Sequence, residues 1–179
     1  MEPVYVALGS NVGNRKAMLM SALKQIRNIA GVDDVVCSNF YQTIPASSIP
    51  QERYLNAVCR FKSSGNPKGI FDELERIERM LGKCPKPKEA PRIIDLDLLF
   101  FGIESYRGHG LTIPHPRWLE RLFVLIPLLD LTDEVSVPDS CSENGRRQVD
   151  LVEIVNRFSQ REIKSATYYS HPGDFGVKS

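Results

Sequence analysis

The hydrophobic pattern near the N-terminus predicts a strand followed by a helix. Apolar residues alternate with smaller or more polar ones in residues 4–8, and the turn-forming residues 9–11 then interrupt the alternation. From Asn14 onward, apolar residues recur at helical spacing as far as Ala30, and Gly31 stands where a left-handed C-terminal cap is expected. The pattern therefore predicts a β-α unit at the start of the chain.

Two further strands and a second helix follow this unit. Residues 32–41 and 54–61 have strand patterns, and residues 42–53 between them contain two prolines and little periodicity, which predicts a long loop. Asn66 and Pro67 are typical of the N-cap and the first position of a helix, and apolar residues at helical spacing come after them. The first half of the chain thus predicts the order β-α-β-β-α.

The second half adds a strand and more helices. Residues 83–91 contain three lysines and three prolines, which predicts an exposed loop, and residues 92–101 predict the next strand. Helices are predicted at 118–129 and 151–158. This order is typical of an α+β fold with a ferredoxin-like antiparallel sheet of the split β-α-β type and flanking helices on one side.

Length and composition favour one domain with small-molecule substrates. Residues 1–161 form the predicted domain, and the polar residues 162–179 predict a C-terminal tail or linker. Lys and Arg number 23 and Asp and Glu number 22, so no global charge favours nucleic acid or membrane partners. The four cysteines lack metal-binding spacing, and the start of the chain lacks a signal sequence. We therefore expect free thiols and a cytoplasmic protein.

Two aspartates on the predicted strand are the strongest candidates for chemistry. Because strand side chains alternate, Asp95 and Asp97 are expected on one face. The other face is expected to hold Ile94, Leu96, Leu98 and Phe100. Neighbouring carboxylates repel each other, whereas a divalent cation neutralises both, and magnesium suits such oxygen ligands. The alternative is an exposed strand face with two solvated aspartates.

Basic residues near this strand are candidates for phosphate contacts. Arg92 stands at the end of the basic loop, and its guanidinium can form paired hydrogen bonds to phosphate oxygens. Lys83, Lys86 and Lys88 lie within that loop, where a solvated lysine cluster is the ordinary alternative. His115 lies between two prolines in an extended turn, and a lone histidine more often has a structural role.

A set of motifs in a fixed order resembles one enzyme family. Residues 91–99 closely resemble the signature of the 6-hydroxymethyl-7,8-dihydropterin pyrophosphokinases, and further family motifs extend the resemblance across residues 4–158. These motifs are Ala7-Leu8-Gly9-Ser10-Asn11, Phe40-Tyr41-Gln42-Thr43, Tyr54-Leu55-Asn56-Ala57, Arg76-Ile77-Glu78, and Leu111-Thr112-Ile113-Pro114-His115-Pro116 leading to Arg121 and Phe123. The resemblance implies an α+β ferredoxin-like fold and transfer of pyrophosphate from ATP to 6-hydroxymethyl-7,8-dihydropterin, with release of AMP, in folate biosynthesis.

The resemblance also implies roles for individual residues. Two magnesium ions would bridge Asp95, Asp97 and the ATP phosphates, and Lys83 and Arg92 would act on the reacting groups. The implied ATP contacts are Leu98, Leu111, Thr112, His115 and Arg121. The implied pterin contacts are Thr43, Tyr54, Asn56 and Phe123. Neighbouring enzymes of the folate pathway are the expected protein partners.

The chain departs from the family pattern at a few positions, and two other functions remain open. Lys83 stands where many relatives have arginine, and Glu89 stands where a tryptophan often covers the pterin.

One alternative function is a ferredoxin-like binding module without turnover, against which the intact set of Arg92, Asp95 and Asp97 argues. The other is a magnesium-dependent phosphotransferase with a different acceptor.

Overall fold

An antiparallel sheet forms the centre of the fold in a computed structural model that describes residues 1–45, 50–85 and 90–173. In chain order the strands are β1 (Glu2–Ser10), β2 (Val32–Cys37), β3 (Phe40–Thr43), β4 (Tyr54–Ser63), β5 (Asp95–Phe101), β6 (Tyr106–Gly108), β7 (Leu111–Ile113), β8 (Glu134–Pro138), β9 (Arg146–Asp150) and β10 (Thr167–Ser170). The helices are α1 (Arg15–Arg27), α2 (Pro67–Met80), α3 (Leu122–Leu129), α4 (Leu151–Val155) and α5 (Gln160–Ile163), with a 3-10 turn at Trp118–Glu120.

The central sheet has six strands, in the order β10-β3-β4-β1-β5 with β2 also paired to β4. Two small hairpins, β6–β7 and β8–β9, lie outside it. The arrangement confirms the predicted α+β class and the antiparallel sheet. Within the described residues, no helix combines the length and the apolar character that crossing a membrane requires.

Both faces of the central sheet are covered. On one face, Leu8 and Phe61 of the sheet pack with Leu23 of α1 and Leu74 of α2 in one core cluster. On the other face, a second cluster combines sheet residues with α3, α4 and the β8–β9 hairpin; its members include Ala7, Val58, Leu99, Trp118, Leu125, Val137 and Ile154. The expectation of helices on one side only is therefore wrong, because strand residues of both parities are apolar and each face needs a covering layer.

Several predicted boundaries shift for identifiable physical reasons. The predicted strand at 32–41 is two strands, β2 and β3, because the Ser38 hydroxyl accepts a hydrogen bond from the Val58 N–H over 3.0 Å and interrupts the ladder.

Other local predictions are confirmed. The helix α2 starts as predicted, with Asn66 Oδ1 accepting from the Gly69 N–H over 2.9 Å. All four cysteines are free thiols, as expected.

The C-terminal segment is more ordered than the sequence predicts. The polar segment after position 161 contains the strand β10, which pairs with β3 at one edge of the central sheet. The ring of Tyr168 on β10 meets the ring of Tyr41 edge-on, with centroids 6.4 Å apart. The segment predicted as a tail or linker thus contains an ordered strand at Thr167–Ser170, and the domain boundary at residue 161 stays a prediction.

A β-bulge in the pairing of β1 with β5 changes the direction of one predicted core residue. Val6 pairs with Leu98 and Tyr5 pairs with Phe100, which leaves Leu99 as an additional residue on β5. Phe100 therefore packs on the face opposite to Leu98, and the prediction that these two share a face is wrong. The two aspartates precede the bulge and keep the predicted alternation.

Candidate active site

Three adjacent strands bring the candidate site together at one end of the sheet. Asn56 on β4 pairs with Gly9 on β1, and Gly9 pairs with Asp95 on β5. Directly opposed residues in a sheet point to the same face, so the Asn56 amide and the Asp95 carboxylate lie on either side of Gly9. This is the face that α3 covers farther along the strands.

Gly9 keeps the space between these two side chains open. A Cβ at this position would lie 3.2 Å from Asn56 Oδ1 and 3.9 Å from Cδ1 of the Tyr54 ring. Any side chain at Gly9 would therefore fill the gap between the amide and the carboxylate. Sequence patterns alone predict no role for Gly9, because its importance depends on a strand register that one sequence does not reveal.

Three of the four residues implied for the pterin lie on β3 and β4. Asn56 is buried, and its Nδ2 donates to Thr43 Oγ1 over 2.7 Å. Tyr54 pairs with Thr43 across the same two strands and is partly exposed. The fourth residue, Phe123, is exposed near the start of α3. An amide, a hydroxyl and two aromatic rings can recognise a flat heteroaromatic ring by hydrogen bonds and stacking.

Each of the two aspartates faces a cation rather than the other aspartate. Asp95 Oδ1 lies 2.7 Å from Lys83 Nζ, and its Oδ2 lies 4.0 Å from Arg92 Nε. Asp97 Oδ2 accepts from Arg121 Nη1 over 2.9 Å. Their side chains are 34% and 45% exposed, so both carboxylates can be reached from solvent. The residues expected to contact metal and phosphate therefore lie together here as neutralising pairs.

The donor set at the aspartates fits magnesium. Within the described part of the chain, no cluster of three His, Cys, Asp or Glu side chains suitable for a metal ion occurs. The protein would thus supply the two carboxylates, and substrate phosphates and water would supply the other oxygen ligands. Magnesium commonly binds in this way, whereas a structural zinc site needs four protein ligands.

A buried carboxylate that the sequence analysis did not assign lies next to this pair. Glu78 is only 6% exposed, and its Oε1 accepts from Lys83 Nζ and from the Leu96 N–H, each over 2.7 Å. Burial raises the pKa of the Glu78 carboxyl, while both hydrogen bonds oppose the rise. The sequence signal was a glutamate at a core position of α2, four residues after Leu74.

The lysine at this cluster keeps its proton. Burial acts to lower the pKa of Lys83, but hydrogen bonds and charge from Asp95 and Glu78 outweigh burial and raise it. Lys83 is therefore an ammonium ion that bridges two carboxylates. Lys86, Lys88 and Glu89, which the sequence analysis placed in the same loop, lie outside the described residues.

His115 lies near the Arg121 and Asp97 pair and is neutral near pH 7. Burial, followed by the positive charge of Arg121, lowers the pKa of His115 below its usual value. Its Nδ1 accepts a hydrogen bond from the Arg117 N–H over 3.2 Å. A neutral imidazole with an accepting Nδ1 carries its proton on Nε2, so His115 can donate one hydrogen bond from that nitrogen.

Two of the residues implied for ATP have buried side chains. Leu98 on β5 and Leu111 on β7 are buried in the core beneath α1 and α2, on the face opposite to the aspartates. Only their backbone groups could contact a nucleotide. Thr112 lies next to Leu111 on β7 and is partly exposed.

Asn11 connects two loops beside the site and was also not assigned from the sequence. Its N–H donates to the Arg92 carbonyl over 3.0 Å, and its Oδ1 accepts from the Arg92 N–H over 2.7 Å. Its Nδ2 donates to Gln51 Oε1 over 2.7 Å. Buried Asn11 thus fixes the backbone of Arg92 relative to the segment before β4.

Comparison with known sequences identifies relatives along most of the chain. Residues 5–133 match the family described as 7,8-dihydro-6-hydroxymethylpterin-pyrophosphokinase (HPPK). The 2-amino-4-hydroxy-6-hydroxymethyldihydropteridine pyrophosphokinase of Bacillus subtilis is 35% identical over 145 residues, which cover 81% of this chain and 87% of that protein. The protein of the same name from Haemophilus influenzae is 32% identical over 163 residues, covering 91% and 97%.

Other relatives are much longer than this chain. The folic acid synthesis protein fol1 of Pneumocystis carinii is 39% identical over 137 residues, which cover 76% of this chain but 18% of that protein. A Plasmodium falciparum HPPK-DHPS crystal structure with pteroate has a TM-score of 0.67 at 13% identity, covering 91% of this chain and 44% of the solved chain. The match to these longer proteins thus spans less than half of their length, and the structural likeness concerns the fold.

Proposed function

The chain belongs to the 7,8-dihydro-6-hydroxymethylpterin-pyrophosphokinase family, and from this we propose that it transfers a pyrophosphoryl group from ATP to 6-hydroxymethyl-7,8-dihydropterin in folate biosynthesis. The products are AMP and the dihydropterin pyrophosphate. The observation that carries the proposal is the row of Asn56, Gly9 and Asp95 across three strands. It supports an acceptor site in which an amide faces, across Gly9, a carboxylate that suits a metal ion.

The acceptor part of the proposed site consists of Thr43, Tyr54, Asn56 and Phe123, with Gly9 at its base. Asn56 is held in place by its hydrogen bond to Thr43, so its amide is already oriented before a ligand arrives. Tyr54 and Phe123 supply aromatic surface for the pterin ring. The missing side chain at Gly9 lets the ring approach the sheet. The hydroxymethyl group would then point toward β5.

The metal part consists of Asp95 and Asp97, for which we propose two magnesium ions. When bound, the ions neutralise phosphate charge and align the attacking oxygen with the phosphorus. Two carboxylates balance only part of the charge of two divalent ions, and the ATP phosphates would balance the rest. Lys83 and Arg121, which pair with the aspartates, would be available to phosphate oxygens if the aspartates held metal ions.

The nucleotide part consists of cationic and neutral donors proposed to surround the phosphates. Arg92, whose backbone Asn11 fixes, and Arg121 supply guanidinium groups that suit phosphate oxygens. His115 supplies an uncharged Nε2–H donor. Leu98, Leu111 and Thr112 would offer backbone groups to the adenine. Pyrophosphoryl transfer needs positioning and charge neutralisation more than covalent participation. We therefore propose that Lys83 and Arg92 stabilise the negative charge that develops on the transferred group.

Product analysis tests this function against the two alternatives. The chain is incubated with ATP, magnesium and 6-hydroxymethyl-7,8-dihydropterin, and nucleotides are separated by chromatography. We expect AMP in amounts equal to the pterin consumed. A binding module would leave ATP intact, and a phosphotransferase for another acceptor would leave the pterin unchanged. Formation of ADP with a monophosphorylated pterin would also contradict the proposal.

Two wider expectations remain proposals. The relatives include a protein of Pisum sativum named folate synthesis bifunctional protein, in which the matched region makes up 25% of the length. We therefore propose that enzymes of the same pathway are functional neighbours of this chain. The cytoplasmic location expected from the sequence stays a prediction.

A further inference from the structure

One lysine bridges two carboxylates of unequal accessibility at the edge of the proposed metal site. Lys83 Nζ lies 2.7 Å from Glu78 Oε1 and 2.7 Å from Asp95 Oδ1. Glu78 is buried, whereas the Asp95 side chain is 34% exposed. Lys83 is therefore shared between an inner carboxylate and an outer one.

Glu78 is fixed to the strand that carries the aspartates. Its Oε1 also accepts a hydrogen bond from the N–H of Leu96, the residue between Asp95 and Asp97, over 2.7 Å. The side chain thus spans from α2 to β5 and cannot move without leaving a buried N–H unpaired, which is costly. Glu78 is the stationary partner of Lys83, and Asp95 is the partner that solvent and ligands can reach.

We propose that Glu78 is a positioning residue for Lys83. In the free protein it holds the Lys83 ammonium next to the Asp95 carboxylate, and it keeps this ammonium beside the phosphates once a metal ion binds Asp95. This inference rests on the proposed function and adds a role to the same site. A divalent ion at Asp95 repels the ammonium group, which must move. Because Glu78 remains as a partner, Lys83 stays anchored at the site when it leaves Asp95, and no partly buried charge is left unpaired.

A double-mutant cycle tests whether Glu78 acts through Lys83. Glu78→Gln keeps an oxygen for the Leu96 N–H but removes the charge that anchors Lys83, and Lys83→Met removes the ammonium. With Lys83 present, we expect Glu78→Gln to slow AMP formation in a single turnover about tenfold; in the Lys83→Met background we expect less than about a twofold change. Glu73→Gln, on the exposed side of α2, is the matched control and should leave the rate unchanged.

Binding of Mn²⁺ to the protein without nucleotide gives a second measurement that does not depend on turnover. Lys83→Met removes the competing cation at Asp95, so calorimetry should find Mn²⁺ bound at least about threefold more tightly than by the unaltered protein. Lys68→Met removes an ammonium that pairs with Asp72 elsewhere on α2 and controls for the general change in charge. It should not tighten Mn²⁺ binding.

The outcomes separate this inference from the proposed function. If the unaltered chain makes no AMP, the proposed function fails, and the Mn²⁺ measurement still decides whether Lys83 competes for Asp95. If AMP forms but Glu78→Gln slows it equally with and without Lys83, Glu78 does not act through Lys83 and the inference is wrong. Equal Mn²⁺ affinity for Lys83→Met and the unaltered protein would also overturn it.

Discussion

Arg121 joins the candidate metal site to Phe123 in the candidate acceptor site. Its Nη1 donates to Asp97 Oδ2 over 2.9 Å, and its Cζ lies 5.5 Å from the centroid of the Phe123 ring. Arg121 directly precedes α3, so the start of this helix fixes the backbone of both residues. One guanidinium therefore contacts groups that we assign to two different ligands, and its replacement should affect both sides of the reaction.

We expect Arg121→Ala to lower kcat/KM for ATP by about 10- to 150-fold, because a hydrogen bond to a charged partner contributes roughly 1.5–3 kcal/mol. Steady-state kinetics at saturating pterin measures this effect. Arg117→Ala is the control, since the Arg117 guanidinium pairs with Glu120 on the surface. Equal losses in both variants would show that Arg121 contributes only general positive charge.

Asp95→Asn and Asp97→Asn should each abolish most turnover while the fold stays intact. The substitutions keep the shape of the side chain but remove the charge that suits a metal ion. Since both aspartate side chains are part-exposed and their ion pairs are reached by solvent, each change should alter the free energy of unfolding by no more than about 1 kcal/mol.

Turnover and thermal unfolding are measured together for these variants. Asp72→Asn, which removes a surface partner of Lys68, is the control and should retain full activity. Addition of a chelator of divalent cations should abolish turnover by the unaltered protein, as either substitution does. Near-normal turnover in Asp95→Asn or Asp97→Asn would remove the basis for a metal site on β5.

Gly9→Ala should weaken pterin binding by at least about tenfold and leave ATP binding within about twofold of normal. The added methyl group would lie 3.2 Å from Asn56 Oδ1, in the gap assigned to the ring. The strand conformation of Gly9 accommodates alanine, so the protein should fold. Calorimetric titration with each ligand separates the two effects. Parallel losses for ATP and the pterin would indicate a general distortion of the sheet.

The pH dependence of stability should reflect Tyr41. Burial, followed by the hydrogen bond to Asp130, raises the pKa of Tyr41 from 10.0 to about 12. The unfolded chain therefore releases this proton at a lower pH than the folded protein does, so the free energy of unfolding should fall as the pH rises from about 10 to about 12. Below that window the contribution is fully present.

Tyr41→Phe provides the comparison for this prediction. The variant loses the hydrogen bonds from the hydroxyl to Asp130, so it should be less stable than the unaltered protein at neutral pH. Its stability should decline less steeply between pH 10 and pH 12. Chemical unfolding across this range measures both slopes, and identical slopes would rule out Tyr41 as a source of the alkaline loss.

Local patterns in the sequence predict the features that depend on neighbouring residues. The start of α2 follows from Asn66 and Pro67, whose cap geometry and fixed φ act within one turn. The common face of Asp95 and Asp97 follows from the alternation of a strand. That distant motifs belong to one site was predicted only from the family resemblance, because residues far apart in sequence carry no local signal of contact.

Features that depend on register and on long-range packing escaped prediction. The gap at Gly9 exists because β1 lies between β4 and β5 in one particular register. The bulge at Leu99 reverses the direction of Phe100, although both residues fit a regular strand pattern. Glu78 is a charged residue at a core position of α2, where an apolar residue is expected. Only its hydrogen bonds with Lys83 and Leu96 explain why it is buried there.

Transfer of label from ATP carrying ³²P at the β-phosphorus tests the central claim most directly. The chain is incubated with this nucleotide, magnesium and 6-hydroxymethyl-7,8-dihydropterin, with Asp97→Asn as the parallel sample. Transfer of a pyrophosphoryl group moves the label into the pterin product and leaves unlabelled AMP, and we expect this result for the unaltered chain alone. Label that remains in ADP, or an Asp97→Asn variant that labels the pterin at the normal rate, would contradict the account.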